Sequence, residues 1–494
     1  MKRYKPDTTF SSIIKTAKKH SKKHSKEASI IKPDSAGIDI GSRSHYVAVP
    51  SDRCEGHVRE FSSVTGGLLE MAKWLQECKI TTVAMESTGS YWIPCYEILE
   101  ANGIEVYLVP PEQVKSKPGR KTDVIDCQWI QKLHSLGLLT KSFRPKDHCL
   151  KLRAFTRQHS SLIEHRSPHI QHMQKALQEM NIQLHTHIRD ITGVTGTRII
   201  DAILNGERNT EVFASLVHGG CKRSAQEIAD SLKGNYRDEH LFSLRIARDL
   251  YKFYCQKIVE CEVEIQAALT ELVVLTQEIQ VQEELSVTKN AIIDQSEVGL
   301  EDATTKKTNQ IRKKEKKPKR GLSIEIKSLL SDFSGVDLTT ISGIDQVTGL
   351  KIIAELGGNV DPWMTSKHFS SWLGLCPGNK KSGGRQISGK TKQCANRIAQ
   401  LLRMAANALW NSKCYLGAYL RRMRSKLGGM KAITCAAHKL ARIIYNMIKT
   451  KTSYIELGQD FYEKNYRERR MKALKKQAEE MGLQLIEKPA ENIA

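Results

Sequence analysis

The sequence predicts a multidomain chain: an α/β unit, then a long helical and coiled-coil region, then a mainly helical C-terminal unit. Three observations carry this. The chain has 494 residues, too many for one hydrophobic core. Residues 35–145 alternate short β-branched runs with amphipathic ones. Residues 146–283 keep helical periodicity almost throughout.

Each element of the first unit has its own signal. GIDI and HYVAV are strands on either side of a turn, and HVREFSS is a third strand. LLEMAKWLQEC has the 3–4 spacing of a helix. TTVAMES is a β-branched strand, and a helix follows from about Tyr91 to Asn102, stopped by Gly103. EVYLVP is the next strand, and KTDVIDCQW opens the last helix. The order is three strands, helix, strand, helix, strand, helix, with the first strands in an antiparallel meander.

The boundaries follow composition. Residues 1–33 are a disordered basic tail, 34–145 the α/β unit and 146–285 the helical, coiled-coil region. Residues 286–334, with KKTNQIRKKEKKPKRG, are a basic flexible linker or insertion. Residues 335–460 form the C-terminal unit, and 461–494 a charged helix or tail.

Lys and Arg number 77 against 54 Asp and Glu, a net charge of +23. That balance favours a polyanionic partner, nucleic acid first. No apolar run is long enough to cross a membrane, and the Lys-rich N-terminus has no secretory pattern. The expected compartment is a cytoplasm. The 12 cysteines are scattered with no C-x-x-C, so reduced thiols are expected and a zinc site is not.

Four carboxylates carry the chemistry. Asp39 ends the first strand and Glu86 the fourth, and strand ends facing one way gather their side chains in one crevice. Asp123 and Asp126, at i and i+3, lie on one face of the helix that can cross it. Four carboxylates at one place cannot all stay ionised without cations. Mg²⁺ or Mn²⁺, hard ions with oxygen ligands, meet that need. Each residue alone also has a plainer reading, as a turn or cap residue, or as a charge favouring a helix N-terminus.

Two segments of the C-terminal unit stand out. LTTISGIDQVTGLKIIAELGG resembles a helix-hairpin-helix, whose turn at Gly343 would offer backbone N–H groups to a phosphate. In NKKSGGRQISGK, Gly383 and Gly384 let backbone approach a ligand, and Lys380, Lys381 and Arg385 add positive charge. A plain flexible, solvent-facing turn is the alternative. Two lesser features are the series His165, His169, His172, interrupted by Pro168, and the aromatics Tyr46, Tyr91, Trp92 and Trp129 near the carboxylates. The histidines suit a surface or RNA contact better than a metal, and the aromatics suit packing better than base stacking.

The set Asp39, Glu86, Asp123 and Asp126, with K-x-D-x-x-D around the last pair, resembles the N-terminal domain of the DEDD insertion-sequence transposases. TGVTGTRIIDAILNGERN and LKGNYRDEHLFSL are similar to that family's helical region, and W-L-G-L-x-P…S-G-G to its serine segment. The resemblance covers most of 35–283 and 335–450. It implies a ribonuclease H-like (RuvC-like) first domain, with the four acidic residues as metal ligands. It implies Ser382 as nucleophile; Ser388 in I-S-G-K is the fallback candidate, and because no histidine in the loop offers a base, activation of the serine falls to the metal ions at the carboxylates. It also implies excision of a circular element, a homo-oligomer (dimer or tetramer) whose subunits share active sites, and a structured guide RNA, in a bacterial or archaeal cell. Two rivals remain: a junction-resolving nuclease using the same carboxylates with water, and a non-catalytic nucleic-acid-binding protein.

Overall fold

The structure, a computed structural model, describes residues 29–115, 122–221, 223–292, 322, 324–392 and 396–484. It divides into two compact units, Met1–Arg144 and Pro145–Ala494.

The first unit is built on one five-stranded sheet. β1 (Ser35–Ile40), β2 (Ser44–Ala48) and β3 (Val58–Ser62) form the antiparallel meander. β4 (Thr82–Glu86) and β5 (Glu105–Val109) add in parallel to β1, in the order β3-β2-β1-β4-β5. This is the expected ribonuclease H-like arrangement. Alternation decides the layers, because odd and even strand residues face opposite sides. Ile38, Val47, Val83 and Met85 pack against Leu68, Met71 and Leu75 of α1 (Thr65–Glu77) and Leu99 of α2 (Trp92–Ala101). Burying each such side chain is worth roughly 1.5–3 kcal/mol. On the other face Ala84, Tyr107 and Val109 meet Val114 of the one-turn α3 (Pro111–Val114) and Ile130 and Leu133 of α4 (Asp123–Ser135).

Gly37 sets how closely α4 approaches. A Cβ there would lie 2.2 Å from Gln131 N and 2.4 Å from Cys127 O. Only glycine lets the helix backbone rest on β1, and that contact fixes the first turn of α4 over the strand ends.

The second unit begins with two long antiparallel helices, α5 (Asp147–Glu179) and α10 (Asp238–Ile292). Lys151–Glu271 (2.7 Å), His159–Glu262 (3.1 Å) and His240–Glu179 (3.3 Å) mark the pairing from one end to the other. Between them in sequence, α6 (Leu184–His187), α7 (Val194–Leu204), α8 (Thr210–Ser215) and α9 (Ala225–Asp230) form a small cap. Its core is Met180, Ile182, Ile199, Ile203, Phe213, Ile228 and Leu232.

α11 (Lys327–Ser334), a 3₁₀ turn (Leu338–Thr340) and α12 (Gln346–Leu356) lead into the C-terminal part. Glu355 of α12 accepts from Arg153 (2.8 Å) and from two nitrogens of Arg157 (2.8 Å each), which ties this part to α5. α13 (Ser366–Trp372) precedes a β6–β7 hairpin (Lys380–Ser382, Arg385–Ser388). α14 (Arg397–Ala408), α15 (Tyr415–Leu427) and α16 (Gly429–Thr450) pack as a bundle, followed by α17 (Gly458–Glu480).

Three expectations need correction. Pro168 does not interrupt its helix: α5 runs through it from Asp147 to Glu179. One missing N–H is outweighed because α5 packs against α10 along its length. The basic tail is shorter than residues 1–33, because Ile31 and Lys32 donate to Ser135 O at 2.8 and 2.9 Å and Lys32 Nζ sits 3.6 Å from the Tyr107 ring centre. Residues 286–334 are not all linker: α10 reaches Ile292 and α11 begins at Lys327. The rest of the expected tails and linker, residues 1–28, 293–321, 323 and 485–494, lies outside the described residues.

Candidate active site

β-sheet register builds the first half of the site. Ile38 pairs with Met85 in the parallel β1–β4 ladder, so Asp39 and Glu86 come next on neighbouring strands and on the same face. Adjacent strands run about 4.8 Å apart, so the two carboxylates leave the sheet side by side. That face is the one α4 covers. Asp39 and Glu86 are half-buried, and Glu86 Oε1 accepts from Thr88 Oγ1 at 3.0 Å.

The first turn of α4 supplies Asp123, exposed, and Asp126, half-buried. Thr122 caps the helix, its hydroxyl accepting from Ile125 N at 3.3 Å. Two side chains report how near these carboxylates lie to the strand ends. Burial pushes the Cys127 thiol up to about 12, and the charges of Asp39 and Asp126 add to that push. The hydroxyl of Tyr46, strand partner of Asp39, is raised by a hydrogen bond to Glu60, by burial and by the charges of Glu60 and Asp123. Lys121, the first residue of K-x-D-x-x-D, lies outside the described residues.

The four carboxylates thus share one corner of the first unit, but they are not drawn into a closed cage. Among the described residues no group of three or more His, Cys, Asp or Glu side chains is set to hold a metal ion. The donor chemistry does fit a hard divalent cation, since every candidate ligand is a carboxylate and the neighbouring Cys127 thiol is buried and donates to Val124 O at 3.1 Å.

Glu60 of this corner has no signal in the sequence, and Tyr46 reads there only as packing. Tyr46 pairs with Asp39 on one side and Glu60 on the other, so Asp39, Tyr46 and Glu60 form a row across three strands. Glu60 is held below the usual carboxylate range, first by Ser44 and then by Tyr46. Strict alternation on HYVAV and VREFS puts them on the α4 face, but only the register aligns them with Asp39. Of the other aromatics, Trp129 Nε1 donates to Val114 O (3.1 Å), Trp92 Nε1 donates to Gly89 O (3.1 Å), and Tyr91 is exposed.

The second unit holds Ser382 on a tight hairpin. Ser382 pairs with Arg385 across Gly383 and Gly384, whose φ values are +53° and +76°. Positive φ at both central positions is what a two-residue type I′ turn demands, and Gly-Gly meets it without strain. A Cβ at either glycine would meet nothing within 4 Å, so conformation rather than crowding requires them. Ser382, Lys381 and Arg385 are all exposed, and the Lys380 side chain lies outside the described residues. Gln386 Nε2 donates to Asn379 Oδ1 (3.1 Å), and Gly378 N to Lys390 O (2.9 Å), bracing the arms. Ser388 Oγ accepts from Lys390 N at 3.3 Å.

Gly343 takes φ +90° in an exposed turn between the 3₁₀ turn and α12. A Cβ there would lie 2.9 Å from Ala405 O, so the turn leans on α14. Its neighbour Ser342 donates to Glu456 Oε2 at 3.3 Å. His169 stacks on Tyr254 of α10 (centres 5.5 Å, planes 19° apart), which makes it part of the α5–α10 packing, while His172 meets His169 edge-on and stays exposed.

Two family models match the chain. One, described as a transposase and named for the DEDD motif and IS110, spans residues 36–182. The other, described as the transposase IS116/IS110/IS902 family, spans residues 337–420. No curated protein matches. The first model covers the carboxylate corner and the second covers the glycine turn and the serine hairpin. Two matches in this order, on a RuvC-like sheet and on a helical unit carrying the hairpin, make the chain a DNA transposase of the IS110 family, an enzyme of DNA strand transfer.

Proposed function

We propose that this transposase cuts and rejoins DNA with a two-part site: Asp39, Glu86, Asp123 and Asp126 with Mg²⁺ or Mn²⁺, and the hydroxyl of Ser382. The observation that carries it is the β1–β4 register, which sets Asp39 beside Glu86 on the face covered by α4. Divalent ions bound there would polarise a phosphodiester and offset charge on its oxygens. The chain's own part is as follows. The carboxylates provide oxygen donors. Ser382 Oγ bonds to phosphorus as the P–O bond of the strand breaks, and the hydroxyl proton leaves with the departing oxygen. A hydroxyl of a second strand then attacks the serine–DNA link, frees Ser382 and joins the new ends. Lys381 and Arg385, exposed on the hairpin, attract the phosphates of the strand being cut.

The element leaves as a circle and enters a target, with a structured non-coding RNA pairing to both DNAs. The net charge of +23 supports a partner of that kind without naming it. The backbone at Gly343 contacts duplex phosphates. The enzyme works as a homo-oligomer in which one subunit's serine serves another's carboxylates. Exposed Phe242, Ile246, Phe253, Val263 and Val274 recur at helical spacing on α10, away from the buried Leu244, Ala247, Ile258, Ile265 and Leu272. Such an apolar face on a 55-residue helix suits a second copy.

The test uses a plasmid carrying the gene with its native flanking DNA, amplified across the circle junction. Wild type should give a junction product, and Asp39→Ala and Ser382→Ala should each abolish it. A product that survives Ser382→Ala would remove the serine from the chemistry and favour the water-using nuclease reading.

A further inference from the structure

The cap between α5 and α10 carries a cavity of about 710 Å³ lined by Asn181, Arg208, Thr210, Lys233, Asn235 and Tyr236, among others, all but Asn181 outside the regions the two family models match. It opens where the chain leaves α5 and where it enters α10. It is an open cleft, with Asn181, Arg208, Lys233 and Asn235 exposed along it, so a ligand there keeps one side in solvent.

The floor is a cation laid on a ring. The Arg208 guanidinium lies 4.1 Å from the centre of the Tyr236 ring. Nη1 of Arg208 donates to Ile203 O at 2.9 Å, and the Tyr236 hydroxyl donates to Leu232 O, so both planes are held. Beside them, Asn235 N donates to Met180 O at 3.0 Å. A Cβ at Gly234 would lie 2.3 Å from that same oxygen, so this wall sits directly on the end of α5.

The backbone there is unusual. Asn181, at φ +57°, is the ordinary left-handed stop after α5, but Tyr236 has φ +46°. For a bulky residue such as tyrosine the left-handed region is a true outlier. Strain of this kind persists only where surrounding contacts impose it, and it concentrates at ligand sites. Here the contacts that impose it also build the cavity.

The lining selects the ligand. It holds a guanidinium, an ammonium and two carboxamides, and no carboxylate. Lys233 Nζ is 2.8 Å from Asp230, an exposed pair that solvent or a ligand can replace. Such a surface favours an anion with a flat, hydrogen-bonding portion. We propose that this cavity takes one unpaired nucleotide of a single-stranded nucleic acid. The base stacks on the Arg208–Tyr236 platform, the Asn181 and Asn235 amides meet its edge, and Lys233 meets its phosphate. A base still stacked in a duplex cannot present its face to the platform, so paired strands are excluded.

The test is photo-crosslinking of the full chain to short single strands carrying 5-iodouracil, as DNA and as RNA, with adducts mapped by mass spectrometry. Wild type should give an adduct on the peptides holding Arg208 or Tyr236, competed by unlabelled single strand and at least tenfold less well by duplex. Lys233→Glu with Asn235→Asp should lower that adduct at least fivefold and leave adducts elsewhere unchanged. Tyr236→Phe, which keeps the ring, should retain it. The DNA and RNA arms show which strand is held. No adduct at the cavity while others form, equal competition by duplex, or an adduct indifferent to the double substitution would each overturn the proposal. Thermal melting checks the fold, and Lys233→Gln alone replaces the double variant if that variant melts early.

Discussion

At the scale of single residues, the carboxylates show both what a sequence can announce and what it cannot. Asp39 and Glu86 were legible because each ends a recognisable strand. Tyr46 was legible near the carboxylates only as a packing aromatic and Glu60 not at all, because their row beside Asp39 depends on how three strands align. His134 gives a test at this scale. Its ring is buried, lies 4.7 Å from the Tyr107 ring centre and shares a 3.0 Å hydrogen bond with Thr82 Oγ1. Burial, with Lys32 adding, pulls its pKa down to about 4 from an ordinary 6.5. Between those values the unfolded chain binds a proton that the folded chain refuses. Folding is therefore fully supported above about pH 6.5 and weakens as pH falls toward 4. Urea midpoints measured from pH 7 to 4.5 should fall in wild type, and less steeply in His134→Gln. Equal slopes would mean that the ring titrates as freely folded as unfolded.

At the scale of elements, close packing decides where α4 lies. Gly37→Ala would put a methyl group into Gln131 N and Cys127 O. Overpacking costs about 1–3 kcal/mol, and here the obstacle is backbone, which gives least. The melting temperature should fall by several degrees, and the first turn of α4, with Asp123 and Asp126, should shift. Gly66→Ala in α1 is the control, since its Cβ would meet nothing within 4 Å and it leaves a helix glycine behind. It should be neutral or stabilising by up to about 1 kcal/mol. If Gly37→Ala melts like Gly66→Ala, the helix is not seated on β1. Elements were also where local signals misled. Pro168 marks a helix end by local rules, but packing along α10 carries α5 past it. The Ser-Gly-Gly segment, a weak signal alone, became a defined hairpin once both glycines took positive φ.

At the scale of the whole molecule, assembly is the open prediction. Phe253→Asp with Val263→Asp changes two exposed side chains on α10, 51% and 55% accessible. Light scattering should show an oligomer for wild type and a smaller species for the variant, with melting of the single chain little changed. An oligomer that survives both charges would move the interface off this face. The same scale explains the mixed legibility of this chain. Periodicity and charge are local properties, so the sequence by itself determined the strand and helix order, the basic balance, the helical middle and the residue types able to do strand transfer. The four carboxylates and Ser382 were named from that order together with a family resemblance. Register, helix seating and cavity shape come from contacts between residues far apart in the chain, and no window of sequence contains them. Only the tertiary structure decided that Tyr46 and Glu60 stand in one row with Asp39. It alone showed that α4 rests on Gly37, and that Arg208 and Tyr236 meet over a cavity at the joint of two helices.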